Sequence, residues 1–127
     1  VSTRIEIPAH CAQSLERWYG ALPLEVRVLR GSFLGWLFGL TGQHGVTVNS
    51  TVHWTRHAPP IDSEAGTVLL GHELFHVLQQ QEMGWLRFLA GYLRHWRPRH
   101  VERGWEHPYE VSAYQRGREI REALKQA

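Results

Sequence analysis

HELFH, residues 72–76, narrows what this chain can be more than any other stretch. It supplies the pattern H-E-x-x-H through His72, Glu73 and His76, inside the run TVLLGHELFHVLQQQEM that spans residues 67–83. Histidines four apart on a helix stand one turn above the other on the same face, so two imidazole nitrogens can reach one zinc ion. Glu73 lies about 100° around the helix from His72, close enough to take a proton from a water on that metal. A helical wheel puts Leu69, His72, Glu73, His76, Gln79 and Gln80 on one side and Leu70, Leu74, Val77, Leu78 and Gln81 on the other. The pattern predicts a helix with a buried back and a polar, ligand-bearing front that walls a cleft.

The rest of the chain is long enough to enclose such a helix. Its 127 residues are 43% hydrophobic, which predicts one domain over 1–127 with one core. The six tryptophans can fill core volume or line the cleft. A single cysteine, Cys11, excludes an intrachain disulfide and a cysteine-based zinc cluster, and its place on the apolar side of a helix predicts a small core residue. The net charge of +2 is too mild to imply nucleic acid, which is an unexpected partner. No apolar run approaches the roughly 20 residues of a membrane span. The opening residues VSTRIEIPAH lack the apolar core of a signal peptide, so the expected compartment is the cytoplasm.

Local patterns predict the remaining elements. Arg4–Ile7 reads as an edge segment and Pro8–Leu22 as a helix stopped by Pro23, with Cys11, Leu15, Trp18 and Leu22 at helical spacing. Glu25–Leu29 alternates charged and apolar residues as a strand does. Gly31–Gly42 is almost continuously apolar and fits a helical turn, a buried connection or a flap over a cleft. Val46–Trp54 is β-branched around Asn49-Ser50, which fits a hairpin or one bent strand. Asp62 or Ser63 can cap a helix running from Glu64 to Met83, with Gly84 as its stop. Trp85–Trp96 reads as a second helix, with Leu86, Phe88, Leu89, Tyr92 and Leu93 apolar. RHWRPRHVER (94–103) reads as a solvated basic loop, and His107-Pro108 starts a last helix reaching about Lys125.

Catalytic zinc takes three protein ligands and a water, so a third ligand is required. The acidic residues after His76 are Glu82, Glu102, Glu106, Glu110, Glu119 and Glu122. Glu82 points away on the same helix, and Glu102 and Glu106 fall in the loop. Glu110 opens the last helix in HPYEVSAY, on the face that also carries Ala113, Gly117, Ile120 and Leu124. The small Ala113 and Gly117 would let that helix approach the HELFH helix closely. An acidic residue in a first turn is also favoured simply by the helix dipole, so both readings of Glu110 stand at this level.

HELFHVLQQ, then a helix, then HPYEVSAY, resembles the gluzincin group of zinc metallopeptidases. It is most similar to the small single-domain minigluzincins, whose pattern is HExxHxxQ followed by (N/H)P(F/Y)ExxA. The resemblance spans roughly residues 46–120 and is tightest at His72–Gln79 and Pro108–Ala113. It implies an α+β fold: a short β-sheet whose edge strand borders the cleft, an HExxH active-site helix and a C-terminal glutamate helix. It implies one Zn2+ held by His72, His76 and Glu110, with Glu73 as general base and acid, and a peptide or protein as substrate. Many larger gluzincins carry an acidic or serine residue four after the glutamate to support a zinc histidine; Tyr114 stands there instead.

The oxyanion of a tetrahedral intermediate needs a donor beside the metal, and His53, His107, Tyr109 and Tyr114 are the candidates. A peptide could add as a strand along Val46–His53. Two other classes compete with an active peptidase. One is a latent or inactive zinc-binding domain acting as an interaction module, its cleft closed by Gly31–Gly42 or the C-terminal tail. The other is a metal-free module that binds an acidic partner or RNA through RHWRPRHVER, with strongly salt-dependent affinity.

Overall fold

The computed structural model describes residues 2–20 and 26–126. The fold is α+β, with a four-stranded sheet packed under a long central helix. β1 (Thr3–Ile5) runs antiparallel to β2 (Arg27–Arg30), β2 parallel to β4 (Thr51–Trp54), and β4 antiparallel to β3 (Gly45–Val48), giving the order β1-β2-β4-β3. The β3–β4 pair is the hairpin expected around Asn49-Ser50. Asn49 supplies the turn with a φ of 57°, a left-handed conformation asparagine tolerates better than most residues. β3 is an outer strand and β4 an inner one, so the sheet edge lies on Gly45–Val48 and not along the whole of Val46–His53.

α1 (Ala9–Tyr19) ends at Gly20, whose φ of 72° turns the chain before the expected stop at Pro23. Leu22, Pro23 and the Glu25 end of the expected strand lie outside the described residues. Gly31–Gly42 forms a helix, α2 (Phe33–Gly39), started by Ser32, whose Oγ accepts the Gly35 N–H at 3.1 Å. Gly35 and Gly39 form its buried side, while Phe33, Trp36, Leu37 and Phe38 are exposed. The segment is therefore neither a buried connection nor a flap. Glycines at four-residue spacing let its backbone sit close to β3 and β4, and the large side chains are left outside.

α3 (Glu64–Met83) is capped by Ser63, not Asp62: Ser63 Oγ accepts the Gly66 N–H at 3.0 Å. Gly84, with a φ of 87°, ends it and leads directly into α4 (Trp85–His95). Two 3-10 turns, Pro98–Val101 and Gly104–Glu106, occupy the basic stretch, where Glu106 lies 3.5 Å from Arg99 and 3.7 Å from Arg103. α5 (Pro108–Lys125) then crosses back over α3.

α3 is the centre of the core. Leu70, Leu74 and Val77 are fully enclosed together with Leu15, Val28, Val52 and Ile120. Cys11 is buried as well, its Sγ donating to the Ile61 carbonyl at 3.2 Å. The polar front of α3 is buried too, because the hairpin and α5 pack over it: Glu73, His76 and Gln80 are each at most 5% exposed. Leu78 and Gln81, placed by the wheel on the buried back, are exposed. Of the tryptophans, Trp54 joins the core and Trp105 lines the cleft. No helix among the described residues is long and apolar enough to cross a membrane.

Candidate metal centre

The front of α3 and the first turn of α5 meet at one carboxylate oxygen. His72 Nε2 donates to Glu110 Oε1 at 3.1 Å, and His76 Nε2 donates to the same oxygen at 2.7 Å. His107 fixes that first turn by accepting the Tyr109 N–H on Nδ1 at 3.0 Å, and Pro108 supplies the helical φ that follows. The close approach of the two helices is set on α3: a Cβ on Gly71 would stand 2.2 Å from Ile120 Cδ1. Gly117 leaves ordinary room, with Val68 Cγ1 3.7 Å from where its Cβ would be.

Three donors at one point suit a metal ion. Ligand atoms on a tetrahedral zinc, at about 2.0–2.1 Å from the metal, stand about 3.3 Å from each other. The donor separations of 2.7 and 3.1 Å are slightly tighter, so a few tenths of an ångström of opening would admit the ion. His72, Glu73 and His76 each offer a donor atom within 4.8 Å of the others, so this cluster can hold a metal ion.

The surrounding groups orient the donors. Gln79 Oε1 accepts from His76 Nδ1 at 2.7 Å, which aims Nε2 at the cleft, and Gln79 Nε2 donates to the Tyr109 carbonyl at 3.2 Å. Gln80 reaches the other way, donating to the Thr47 carbonyl at 2.8 Å and accepting the Asn49 N–H at 2.5 Å, so the turn of the hairpin is tied to α3. Glu73 lies against β3, with its carboxyl carbon 3.4 Å from where a Cβ of Gly45 would be and its Oε2 accepting from Thr47 Oγ1 at 3.5 Å.

Electrostatics follow from burial and this pairing. Burial raises the Glu73 carboxyl above the usual range, against the pull of His72 and His76. Burial alone would lower His76, but the Glu110 carboxylate outweighs it and lifts the imidazole to about 9. Burial would likewise raise Glu110, and His76 and His72 together drive it well below the usual carboxylate range.

A cleft of about 930 Å³ opens over this cluster, bordered by His44 and Gly45 on one side and by Gly104, Trp105 and Tyr114 on another. The side chains of α2 do not line it. Of the four oxyanion candidates only Tyr114 lines the cleft, its ring edge-on to His72 at 4.5 Å between centroids. His53 is on an inner strand and bonds Ser32 Oγ at 2.7 Å. Both ring nitrogens of His107 are engaged, and the Tyr109 hydroxyl packs beside Gly91. Burial, with Glu110 and Glu73 nearby, pushes the Tyr114 hydroxyl up to about 12, so it stays a proton donor at neutral pH.

One residue of this shell was missed in the sequence. Tyr92, an apolar-face position of α4 by its periodicity, donates its hydroxyl to Glu110 Oε2 at 2.7 Å. The signal was faint: tyrosine in place of leucine or phenylalanine on a buried face calls for a hydrogen-bond partner.

Comparison with curated proteins and with solved structures returned no match. The family model described as the eCIS core domain matches residues 6–84, more than half of the chain, from β1's neighbour Glu6 through HELFH to Gly84. The chain belongs to the eCIS core domain family, a zincin-like family, and carries Glu110 beyond the matched region.

Proposed function

We propose that this protein is a zinc-dependent metallopeptidase of the gluzincin type, built on the plan of the minigluzincins. His72, His76 and Glu110 are its metal ligands, Glu73 its general base and acid, and a peptide or protein its substrate. One observation carries the reading: Nε2 of both α3 histidines lies within 3.1 Å of a single oxygen, Oε1 of the first-turn glutamate of α5, at a cleft. A helix-dipole role would leave Glu110 at the surface, not between two imidazoles.

Bound zinc supplies a lowered water pKa and a polarised carbonyl. The chain supplies the rest. Glu73 accepts the proton of the attacking water and returns it to the leaving amine, and its raised pKa suits a group that must do both. Tyr114 donates to the oxyanion that develops on the scissile carbonyl. The outer strand β3 offers an edge along which substrate can lie as an added strand, leading it past Gly45 to Glu73.

Zinc content by elemental analysis, wild type beside Glu110→Ala, is the first test. One zinc per chain, bound roughly 10-fold or more weakly in the variant, supports the three-ligand site, and no zinc in the wild type refutes it. Peptide hydrolysis by the wild type and not by zinc-loaded Glu73→Gln supports the peptidase. A zinc-binding module without turnover is the second reading, favoured by the exposed apolar sides of α2 and α4. A zinc-loaded wild type that cleaves no peptide would establish it instead.

A further inference from the structure

Glu110 has two carboxylate oxygens, and only Oε1 faces the histidines. Oε2 is taken by the Tyr92 hydroxyl at 2.7 Å. Tyr92 is itself held on two sides. Its ring stacks on His107 at 3.9 Å between centroids and 17° between planes. Its carbonyl accepts from His107 Nε2 at 2.7 Å. His107 is in turn the N-cap of α5, the helix that carries Glu110. Tyr92, His107 and Glu110 thus close a loop between α4 and α5.

The seating of α4 is equally fixed. Phe88, 6% exposed, packs against the His76 ring at 5.7 Å between centroids. Gly91 lets α4 lie against Tyr109 so closely that a Cβ there would stand 1.9 Å from the Tyr109 hydroxyl. The Tyr92 hydroxyl is therefore delivered to Oε2 by a docked helix and not by a mobile side chain.

We infer that Tyr92 is a positioning residue for the metal site: by occupying Oε2 it makes Glu110 a one-oxygen ligand through Oε1. The inference rests on the reading of His72, His76 and Glu110 as zinc ligands. The support from α4 acts on the glutamate, beside the one that Gln79 gives His76, and the side chain four after Glu110, Tyr114, faces the cleft. Both Tyr92 and His107 lie outside the matched region of residues 6–84, as does the glutamate they hold.

Zinc affinity, measured by competition with a chromophoric chelator, and the visible spectrum of the cobalt-substituted protein test this in the full chain. Tyr92→Phe keeps the ring on His107 and removes only the hydroxyl. Zinc affinity should fall roughly 10-fold or more, the usual range for losing an outer-shell partner. With Oε2 released, Glu110 can bind through both oxygens, so the cobalt bands should weaken as the coordination number rises. In a Glu110→Ala background, the same Tyr92→Phe change should shift zinc affinity less than 2-fold, because the group it acts on is gone. A merely structural tyrosine would weaken both backgrounds alike, and that result overturns the inference. Wild-type affinity and an unchanged cobalt spectrum in Tyr92→Phe overturn it too, while leaving the zinc site itself standing. Failure of the wild type to bind zinc removes the reading and the inference together.

Discussion

Gly71 sits one residue before His72, where α3 meets both α1 and α5, and replacing it by alanine tests whether that contact sets the metal site. The added methyl would stand 2.2 Å from Ile120 Cδ1 and 3.1 Å from Leu15 Cδ2. Ordinary carbon contacts are about 3.5–4.0 Å, so the overlap with Ile120 exceeds 1 Å. Ile120 and Leu15 are both fully buried and have no free volume to swing into. The strain belongs at the upper end of the usual overpacking range, about 2–3 kcal/mol. Alanine recovers about 1 kcal/mol of helix propensity. The net loss is then about 1–2 kcal/mol. At about 2.1 cal/mol/K per residue, unfolding of this chain should carry an entropy of roughly 0.27 kcal/mol/K, so Tm should drop by roughly 4–8 °C. Ile120→Val removes the clashing carbon and alone should cost about 0.5–1.5 kcal/mol. In the double variant the new methyl fills the vacated space, so the two losses should not add, with a coupling of about 1–2 kcal/mol. Urea unfolding of the four proteins reads this cycle. Additivity within about 0.5 kcal/mol, or a Gly71→Ala protein more stable than wild type, would refute the close contact. Since Ile120 and Glu110 share one face of α5, zinc affinity should weaken in Gly71→Ala and recover in the double variant.

Three further outcomes follow from the same geometry. In the metal-free protein, His76 raised to about 9 contributes stability below pH about 6.5 that is lost as pH climbs through about 9, and the depressed Glu110 contributes stability that is lost in acid below pH about 4. Melting curves of chelated protein should therefore fall on the alkaline side, whereas the stabilisation added by zinc should grow there, because the metal needs His76 Nε2 free of its proton; a flat alkaline limb without metal counts against the His76–Glu110 pair. Tyr114→Phe should lower kcat on a peptide by roughly 100-fold while leaving KM and zinc content near wild type, and an unchanged kcat removes Tyr114 as the oxyanion donor. Gln80→Leu should destabilise by about 1–3 kcal/mol in urea unfolding, because the buried Thr47 carbonyl and Asn49 N–H lose their partner; a loss under 0.5 kcal/mol would mean that water replaces it.

The parts of the molecule that local periodicity controls were legible in the chain. The i, i+4 spacing of His72 and His76 needs only a helix, and Ser63, Gly84 and His107-Pro108 mark the ends of α3 and the start of α5 as caps and stops do. The inward face of α5 was legible as well, because Ala113, Gly117 and Ile120 share it with Glu110, although an acidic first-turn residue suits the helix dipole equally. What depended on distant neighbours was not. Gln80 reads on the wheel as part of the polar front that walls the cleft, and it is buried because the hairpin turn comes down over it. The sheet edge could not be assigned within Val46–His53, because β4 becomes an inner strand only through its parallel pairing with β2, some twenty residues earlier in the chain.

Two misreadings share a physical cause. In Gly31–Gly42 the large apolar residues drew attention, yet the informative ones were Gly35 and Gly39, spaced four apart behind a Ser32 cap, which mark the side that touches the sheet. In α4 only Phe88 of the apolar set Leu86, Phe88, Leu89, Tyr92 and Leu93 is buried, while Leu86, Leu89 and Leu93 stay exposed and the Tyr92 hydroxyl meets Glu110. Burial patterns say which face turns inward but not what that face meets. A buried face that meets another helix asks for carbon, as Leu70 and Leu74 do, while one that meets a carboxylate asks for a donor. Tyrosine provides both at once, so its role is fixed only when α5 brings Glu110 within reach, and that approach rests on the absence of a side chain at Gly71.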